Sequence, residues 1–89
     1  MQPIEFDKEK NGANLIKHGM SLETATEFDL DSAITVIDDR KDYGEIRHSS
    51  IGYIGKRLHA CIWTKRENGM MRVISLRKAN RRERKYYNE

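Results

Sequence analysis

The chain has 89 residues, the length of one small domain, which excludes two-lobed enzymes, TIM barrels and complete dinucleotide-binding domains. Leu, Ile, Val and Phe make up only 18 residues, so we expect a thin hydrophobic core in a single domain over residues 1–89. The net charge of +3 hides an asymmetry, because residues 1–45 carry a net −6 and residues 46–89 a net +9. This split fits either a nucleic-acid partner for the basic half or two oppositely charged faces of one fold.

The composition also excludes several kinds of site. Cys61 is the single cysteine and lies in an apolar run, which is typical of a buried thiol in a reducing cytoplasm. His18, His48 and His59 stand apart without a cysteine pair, so we expect no metal site and no cofactor. No apolar stretch approaches the roughly 18 residues of a membrane span and no signal-peptide pattern is present, so we expect a cytoplasmic protein without membrane contact.

The first third of the chain predicts one short extended segment and two short helices. Ile4–Phe6 is the extended segment, and residues 7–17 have apolar side chains at helical spacing. A second helix is predicted to start at residue 21 and to end near residues 29–31. The residues that fit the helix caps are Asp7 as the first N-cap, Gly19 as the left-handed stop and Ser21 as the second N-cap.

From residue 33 onward the pattern changes to strands. Four segments are rich in β-branched or alternating apolar residues, and we predict strands at 34–37, 46–53, 57–66 and 70–77. Asn68-Gly69 favours a two-residue hairpin turn between the last two strands. Asn80, with Glu83 three residues later, fits the capping box of a final helix. The order predicts an α+β fold, with two N-terminal helices and a C-terminal helix on a four-stranded antiparallel sheet.

Four stretches, in order and at matching spacing, resemble the BrnT family over nearly the whole chain. The N-terminal stretch consists of Asp7, Lys10, Asn14, Lys17-His18-Gly19 and Ser21. The central stretches consist of Arg47, Ile51-Gly52, Arg57-Leu58 and Trp63-Thr64-Lys65-Arg66. The C-terminal stretch consists of Arg72-Val73-Ile74-Ser75-Leu76-Arg77-Lys78-Ala79, Arg81-Arg82-Glu83-Arg84 and Tyr87. The departures from the family pattern are Met20, Leu76 and Asn80, and Asn80 still fits a helix cap.

The BrnT family consists of toxins of bacterial type II toxin–antitoxin systems, with a fold similar to RelE-type ribonucleases. The resemblance therefore implies a ribonuclease that cuts RNA and arrests translation. We expect an endoribonuclease that acts without a metal, through attack of the ribose 2′-hydroxyl, because the sequence has no metal-ligand cluster. It also implies a BrnA-type antitoxin that blocks the toxin, and a complex that represses its own promoter. In such a complex the DNA would be contacted only through the antitoxin, and the assembly leaves room for a toxin dimer.

Cleavage of RNA without a metal requires a base for the 2′-hydroxyl, cations for the pentacoordinate phosphate and an acid for the departing 5′-oxygen. We predict that Arg66, Arg72 and Arg77 supply the cations, because they cluster around one hairpin and arginine presents a planar fork of donors to phosphate. Ion pairing with the eleven carboxylates of residues 1–45 is the structural alternative, and it has more weight for Arg47.

Four residues are candidates for proton transfer. His18 ends the first helix, where the helix dipole would raise its pKa, which suits an acid or simply a stable helix C-cap. It also belongs to the family-like pair with Lys17. Tyr87 belongs to the family-like C-terminal stretch, where its phenol would donate a proton or stack on a base, with helix packing as the alternative. His48 matches no motif and is expected at the surface. We therefore place His18 and Tyr87 with the three arginines in the predicted catalytic set.

The final helix carries a basic run, which more often binds phosphate non-specifically than does chemistry. The residues expected to bind RNA in this way are Lys17, Arg47, Arg81, Arg82, Arg84 and Lys85. Trp63 is expected to pack in the sheet, with base stacking as the alternative, and His59 is expected to be packed in the sheet or exposed on it. The second hypothesis, from a different functional class, is a non-catalytic module whose basic half binds nucleic acid or an acidic protein.

Overall fold

The computed structural model of the protein describes residues 2–89 and has the predicted α+β composition. Its helical elements are α1 (Lys8–His18), a 3-10 helix (Leu22–Glu27) and α2 (Arg81–Tyr86). Its strands are β1 (Ile4–Phe6), β2 (Ile34–Asp38), β3 (Arg47–Ile54), β4 (Arg57–Lys65) and β5 (Met71–Lys78).

The strands form one five-stranded sheet in the order β1-β5-β4-β3-β2. β1 is parallel to β5, with Ile4 opposite Met71 and Phe6 opposite Val73, and the other pairs are antiparallel. The prediction of a four-stranded antiparallel sheet is therefore wrong, because the extended N-terminal segment joins the sheet as a fifth strand. Its three residues show no strand period of their own, and both Ile4 and Phe6 pack against the core formed by distant segments.

The second predicted helix is a 3-10 helix, and it ends at Glu27, before the predicted residues 29–31. Its backbone bonds span three residues, as in the bond from the Thr24 N–H to the Ser21 carbonyl. Leu22 and Ala25 are both fully buried, because this spacing turns them to the same side of the short helix. The predicted Ser21 cap is confirmed, since its hydroxyl accepts the Glu23 N–H.

The hairpin between β4 and β5 has a three-residue loop, where the sequence predicted a two-residue turn. The Arg66 N–H donates to the Met70 carbonyl, and the Gly69 N–H donates back to the Arg66 carbonyl. Gly69 has a φ of +83°, so a tight turn is followed by a left-handed residue that returns the chain to the strand. Glycine adopts this φ without steric strain.

The other predicted caps are confirmed. The Asp7 carboxylate accepts the N–H groups of Glu9 and Lys10, and Gly19 ends α1 with a φ of +69°. Asn80 and Glu83 form a complete capping box at the start of α2. Local side-chain and backbone chemistry therefore sets both ends of α1 and the start of α2.

The core lies on the face of the sheet that the 3-10 helix covers. Its buried side chains are Leu22, Ala25, Phe28, Cys61, Met71, Val73 and Leu76. A Cβ at Gly52 in β3 would lie 2.9 Å from Phe28 Cζ, so the backbone of β3 packs directly against the Phe28 ring at this residue. Cys61 is buried as predicted, and desolvation raises the pKa of its thiol to about 12.

Asn14 joins α1 to the edge of β5 beyond the end of the short strand β1. Its Nδ2 donates to the Leu76 carbonyl at 2.8 Å, and its Oδ1 accepts the Leu76 N–H at 3.2 Å. A second bond from Nδ2 reaches the Met20 carbonyl at 2.8 Å. The carboxamide thus takes the place of a paired strand at Leu76, and it brings the C-terminal end of α1 close to the residues that follow in β5.

Candidate active site

An open groove of about 640 Å³ lies on the face of the sheet opposite the core. One row of cross-strand partners crosses β2, β3, β4 and β5 and lies along its floor: Val36, Ser49, Ile62 and Ser75. Between Ile62 and Trp63 the register shifts, which leaves Ile74 as an extra residue that also lines the groove. The floor is therefore largely aliphatic, with two serine hydroxyls.

The walls of the groove are polar and come from α1, β3, β5, the end of β2 with the loop after it, and α2. Lys17 and His18 project from the end of α1, which Asn14 holds against the edge of β5. Arg47 comes from the start of β3 and Arg77 from β5. The remaining polar lining residues are Asp38, Asp39, Arg40 and Glu83. The structure thus brings together four of the residues that the sequence analysis had singled out.

Arg77 is held in a fixed orientation by Glu83. Arg77 Nη1 donates to Glu83 Oε1 at 2.7 Å and Nη2 donates to Oε2 at 2.9 Å. These bonds raise the pKa of Arg77 and lower the pKa of Glu83, so both groups are charged at neutral pH. Glu83 Oε1 also accepts the Asn80 N–H, so the same carboxylate caps α2 and orients the arginine.

A second arginine–carboxylate pair lies at the other side of the groove. Arg40 Nε and Nη2 donate to the two carboxylate oxygens of Asp38 at 2.8 and 2.9 Å. The hydrogen bonds from Arg40 lower the pKa of Asp38 to about 2. The Tyr43 hydroxyl donates to Asp38 as well, and the Arg47 guanidinium lies 3.9 Å from the centre of the Tyr43 ring.

His18 has a pKa below its usual value, which is opposite to the sequence-based expectation. Partial burial has the largest effect, and the positive charges of Lys17 and Arg77 add to it. The helix dipole would favour the charged imidazolium, but the cations and the loss of water outweigh it. His18 is therefore predominantly neutral at pH 7, the form that accepts a proton.

Three residues of the predicted catalytic set do not line the groove. Arg66 lies at the hairpin with its Nε 3.3 Å from Glu5, and Arg72 Nη2 lies 3.9 Å from Asp7. Tyr87 donates its hydroxyl to the Ser32 carbonyl at 2.8 Å and packs edge-on against Tyr53. For these side chains the structure shows the ion-pairing and packing alternatives that the sequence analysis had kept open.

The basic run of α2 borders the groove without lining it. Glu83 is the residue of α2 that lines the groove. Arg81, Arg82 and Lys85 are exposed, and Arg84 is half-buried.

The remaining histidines lie away from the groove. His48 stacks on Trp63 with 4.3 Å between ring centroids, and the Trp63 Nε1 donates to Ser50. His59 is buried, and burial lowers its pKa. Trp63 therefore packs in the sheet, as predicted, and of the two alternatives for His59 the structure shows the packed one.

The sequence analysis missed Asp38 and Arg40 and recognised Glu83 only as a helix cap. Asp38 ends β2, and Arg40 follows it by two residues. This short separation is a sequence signal for a contact between the two side chains. For Glu83 the signal is its position in a capping box, because a capping-box carboxylate has a second oxygen that can bind a cation. Among residues 2–89, no three His, Cys, Asp or Glu side chains are grouped so that they could hold a metal ion.

Comparison with known families decides the family to which the chain belongs. The family model described as "Ribonuclease toxin, BrnT, of type II toxin-antitoxin system" matches residues 6–83. The chain belongs to the BrnT family of toxins. The resemblance found in the sequence is thereby confirmed, and membership gives the chain the toxin role in a type II toxin–antitoxin system, with an antitoxin as partner.

The BrnT fold is also seen in a solved structure. The crystal structure of the Brucella abortus ribonuclease toxin, BrnT, is similar with a TM-score of 0.70 and 28% sequence identity. The similarity covers 91% of this chain and 100% of that chain. A search of curated protein sequences gives no match. Within residues 2–89 of this BrnT chain, no helix has the length and apolar character needed to cross a membrane.

Proposed function

We propose that the protein is a metal-independent endoribonuclease whose active site is the groove between α1, the sheet and α2. The observation that carries this proposal is a neutral histidine, His18, in the same groove as four cations. The cations are Lys17, Arg40, Arg47 and Arg77. A proton acceptor that shares a groove with several cations suits phosphodiester cleavage by an internal hydroxyl.

The proposed reaction uses His18 as the base. Its neutral imidazole removes the proton of a ribose 2′-hydroxyl, and the 2′-oxygen then forms a bond to the adjacent phosphorus. The bond from phosphorus to the 5′-oxygen breaks, and Lys17 supplies the proton to the departing oxygen. The products are a 2′,3′-cyclic phosphate and a free 5′-hydroxyl.

Arg77 and Arg47 stabilise the negative charge that develops on the phosphate oxygens. Arg77 is oriented before substrate arrives because Glu83 binds two of its nitrogens, and it has further N–H groups for a phosphate. Arg47 is half-buried and lies against the Tyr43 ring, so its guanidinium has little freedom to lose on binding. Both are therefore suited to act on the transition state.

Six cations outside the groove are assigned to binding the RNA strand beyond the cleaved bond. They are Arg66, Arg72, Arg81, Arg82, Arg84 and Lys85. They give affinity that depends on salt and not on base sequence. Tyr87 is assigned a structural role, because its hydroxyl already binds the Ser32 carbonyl.

The biological setting follows from the family. In this proposal RNA cleavage in the cytoplasm arrests translation, and a BrnA-type antitoxin covers the groove and prevents it. The toxin–antitoxin complex would contact promoter DNA through the antitoxin, with a toxin dimer formed inside that assembly. Likeness to RelE-type ribonucleases belongs to the same proposal.

The test is an RNA cleavage assay with purified protein in EDTA, together with expression in a bacterial host with and without a BrnA-type partner. We expect RNA fragments and growth arrest, both abolished by the partner. Intact RNA and normal growth with soluble, folded protein would contradict the proposal. Salt-dependent binding of RNA with no cleavage at any pH would favour the non-catalytic binding module instead.

A further inference from the structure

We propose that Arg40 and Arg77 form a phosphate clamp, in which two carboxylate-anchored arginines at opposite sides of the groove bind phosphates of one RNA strand. Asp38 is the positioning residue for Arg40, as Glu83 is for Arg77. The clamp rests on the proposed ribonuclease function, because it names residues that hold the substrate of that same groove.

The first observation is that the carboxylate of each pair binds two nitrogens of its arginine. Arg40 binds Asp38 through Nε and Nη2, with both donor–acceptor distances below 3 Å. Arg77 binds Glu83 through its two Nη atoms, also with both distances below 3 Å. Bidentate contacts fix the plane of a guanidinium, so each arginine presents its remaining N–H groups in a set direction.

The second observation is the contrast in exposure within the Asp38–Arg40 pair. Only 3% of the Asp38 side chain is exposed, whereas 75% of the Arg40 side chain is exposed. Arg40 Nη1 donates to no acceptor within residues 2–89. A buried carboxylate that holds an exposed arginine is arranged for presenting the arginine, since a surface ion pair alone would contribute little to stability.

The third observation is that Asp38 also connects to Arg47. Tyr43 donates its hydroxyl to Asp38 at 3.3 Å, and the Arg47 guanidinium lies on the ring of the same tyrosine. One buried carboxylate at the end of β2 therefore organises the loop that follows it and the cation at the start of β3. The charged side chains at the far side of the groove are therefore held in position by contacts with Asp38 and Tyr43.

The position in the sheet sets how the clamp would hold RNA. β2 and β5 are three strands apart, so their axes are roughly 14 Å from each other. The two long side chains approach from opposite sides, and the charge of Arg40 acts on Arg77 and opposes the rise of its pKa. A polyanionic ligand bound to both arginines would offset this repulsion between them. In the clamp, Arg40 and Arg77 bind neighbouring phosphates of a single strand, and the intervening nucleoside lies on the aliphatic floor.

The experiment uses a fluorescent single-stranded RNA in which every 2′-hydroxyl is methylated, so that binding is measured without cleavage. Cleavage of the unmodified RNA is measured in parallel with the same proteins. The variants are Arg40→Ala, Arg40→Lys, Asp38→Asn and Arg40→Ala/Asp38→Asn, and Lys41→Ala is the matched control. Lys41 carries the same charge in the same loop but does not line the groove.

We expect Arg40→Ala to weaken binding and to lower kcat/KM by roughly tenfold or more, which corresponds to about 1.4 kcal/mol per factor of ten. Arg40→Lys should recover only part of the loss, because lysine lacks the fork. The double variant should lose no more than Arg40→Ala alone, because Asp38 acts through Arg40. Lys41→Ala should stay within about threefold of the wild type.

The clamp is overturned if Arg40→Ala binds and cleaves like Lys41→Ala while the wild type is active. A double variant that loses the full sum of two large single effects would overturn the positioning role of Asp38. Wild-type protein that neither binds nor cuts RNA would instead overturn the proposed function itself. Thermal unfolding verifies that each variant is folded, and Arg40→Lys, which keeps a cation beside the buried Asp38, tests the clamp if Arg40→Ala unfolds.

Discussion

Glu83 binds the guanidinium of Arg77 with both carboxylate oxygens, at 2.7 and 2.9 Å. The same carboxylate accepts the backbone N–H of Asn80 at 2.9 Å and thereby caps α2. The start of the last helix and the orientation of the arginine in the groove are therefore one structural unit. A residue that is readable from the sequence as a helix cap has a second role at the site.

Arg77→Ala should remove most of the ribonuclease activity. Loss of a preorganised donor to a developing oxyanion lowers kcat by roughly 100-fold or more. Arg57→Ala is the matched control, because Arg57 is exposed at the start of β4 and does not line the groove. Steady-state cleavage rates, with thermal unfolding to verify folding, check this prediction. Equal activity of the two variants would contradict the assignment of Arg77.

The pH dependence of cleavage should report the titration of His18. Because its pKa lies below the usual 6.5, the neutral base predominates above that value and is lost only as the pH falls further. We therefore expect kcat/KM to rise with pH at the acid end and to level off before neutrality. A limb centred above pH 6.5 would contradict this origin.

His18→Gln should abolish the acid limb and lower the rate by roughly 10²–10⁴-fold. His48→Gln is the control, because His48 stacks on Trp63 outside the groove. The control should keep the wild-type pH profile. If His18→Gln keeps both the rate and the acid limb, another residue is the base.

Asn14→Ala should destabilise the fold strongly. It leaves the N–H and carbonyl of buried Leu76 without the partners that Asn14 supplies, at a cost of roughly 2–4 kcal/mol. Asn68→Ala removes one bond in an exposed loop and should cost about 1 kcal/mol or less. Urea unfolding with unchanged slope measures both values. Equal losses would show that the bonds to Leu76 contribute little.

Two glycine substitutions should change stability in opposite directions. Gly52→Ala places a Cβ 2.9 Å from Phe28 and Ala33, which should cost roughly 1–3 kcal/mol. Gly12→Ala lies inside α1 with no atom within 4 Å of the new Cβ, and should stabilise by about 0.5–1 kcal/mol. The same urea unfolding measurement compares the two. A neutral Gly52→Ala would mean that the core yields at this point.

Local chemistry made part of the fold predictable. The caps at Asp7, Gly19 and Asn80 involve residues within a few positions of each other, and all were found from sequence. The parallel pairing of β1 with β5 joins segments more than 60 residues apart, and no local pattern encodes it. The 3-10 geometry of Leu22–Glu27 likewise depends on what the short segment packs against.

The site divides along the same line. The sequence predicted roles for Lys17, His18, Arg47 and Arg77, and the groove brings these four together. The predicted rise in the pKa of His18 is wrong because partial burial lowers it most, and both this burial and the nearby charge of Arg77, 59 positions later, depend on the tertiary structure.

Arg66 and Arg72 were placed in the catalytic set because the hairpin brings them near Arg77 in the chain. The register instead sets Arg72 opposite Thr64, near the loop end of the hairpin, while Arg77 is opposite Ala60. Proximity along a strand is therefore not proximity to the groove.

The central claim is that this groove cleaves RNA by attack of the 2′-hydroxyl, and end-group analysis of the fragments tests it most directly. Purified protein is incubated with RNA in EDTA, and the new 3′ ends are identified by mass spectrometry. We predict 2′,3′-cyclic phosphates with free 5′-hydroxyls, formed roughly 100-fold more slowly by Arg77→Ala. Fragments that carry 3′-hydroxyls and 5′-phosphates would show attack by water and would contradict the claim.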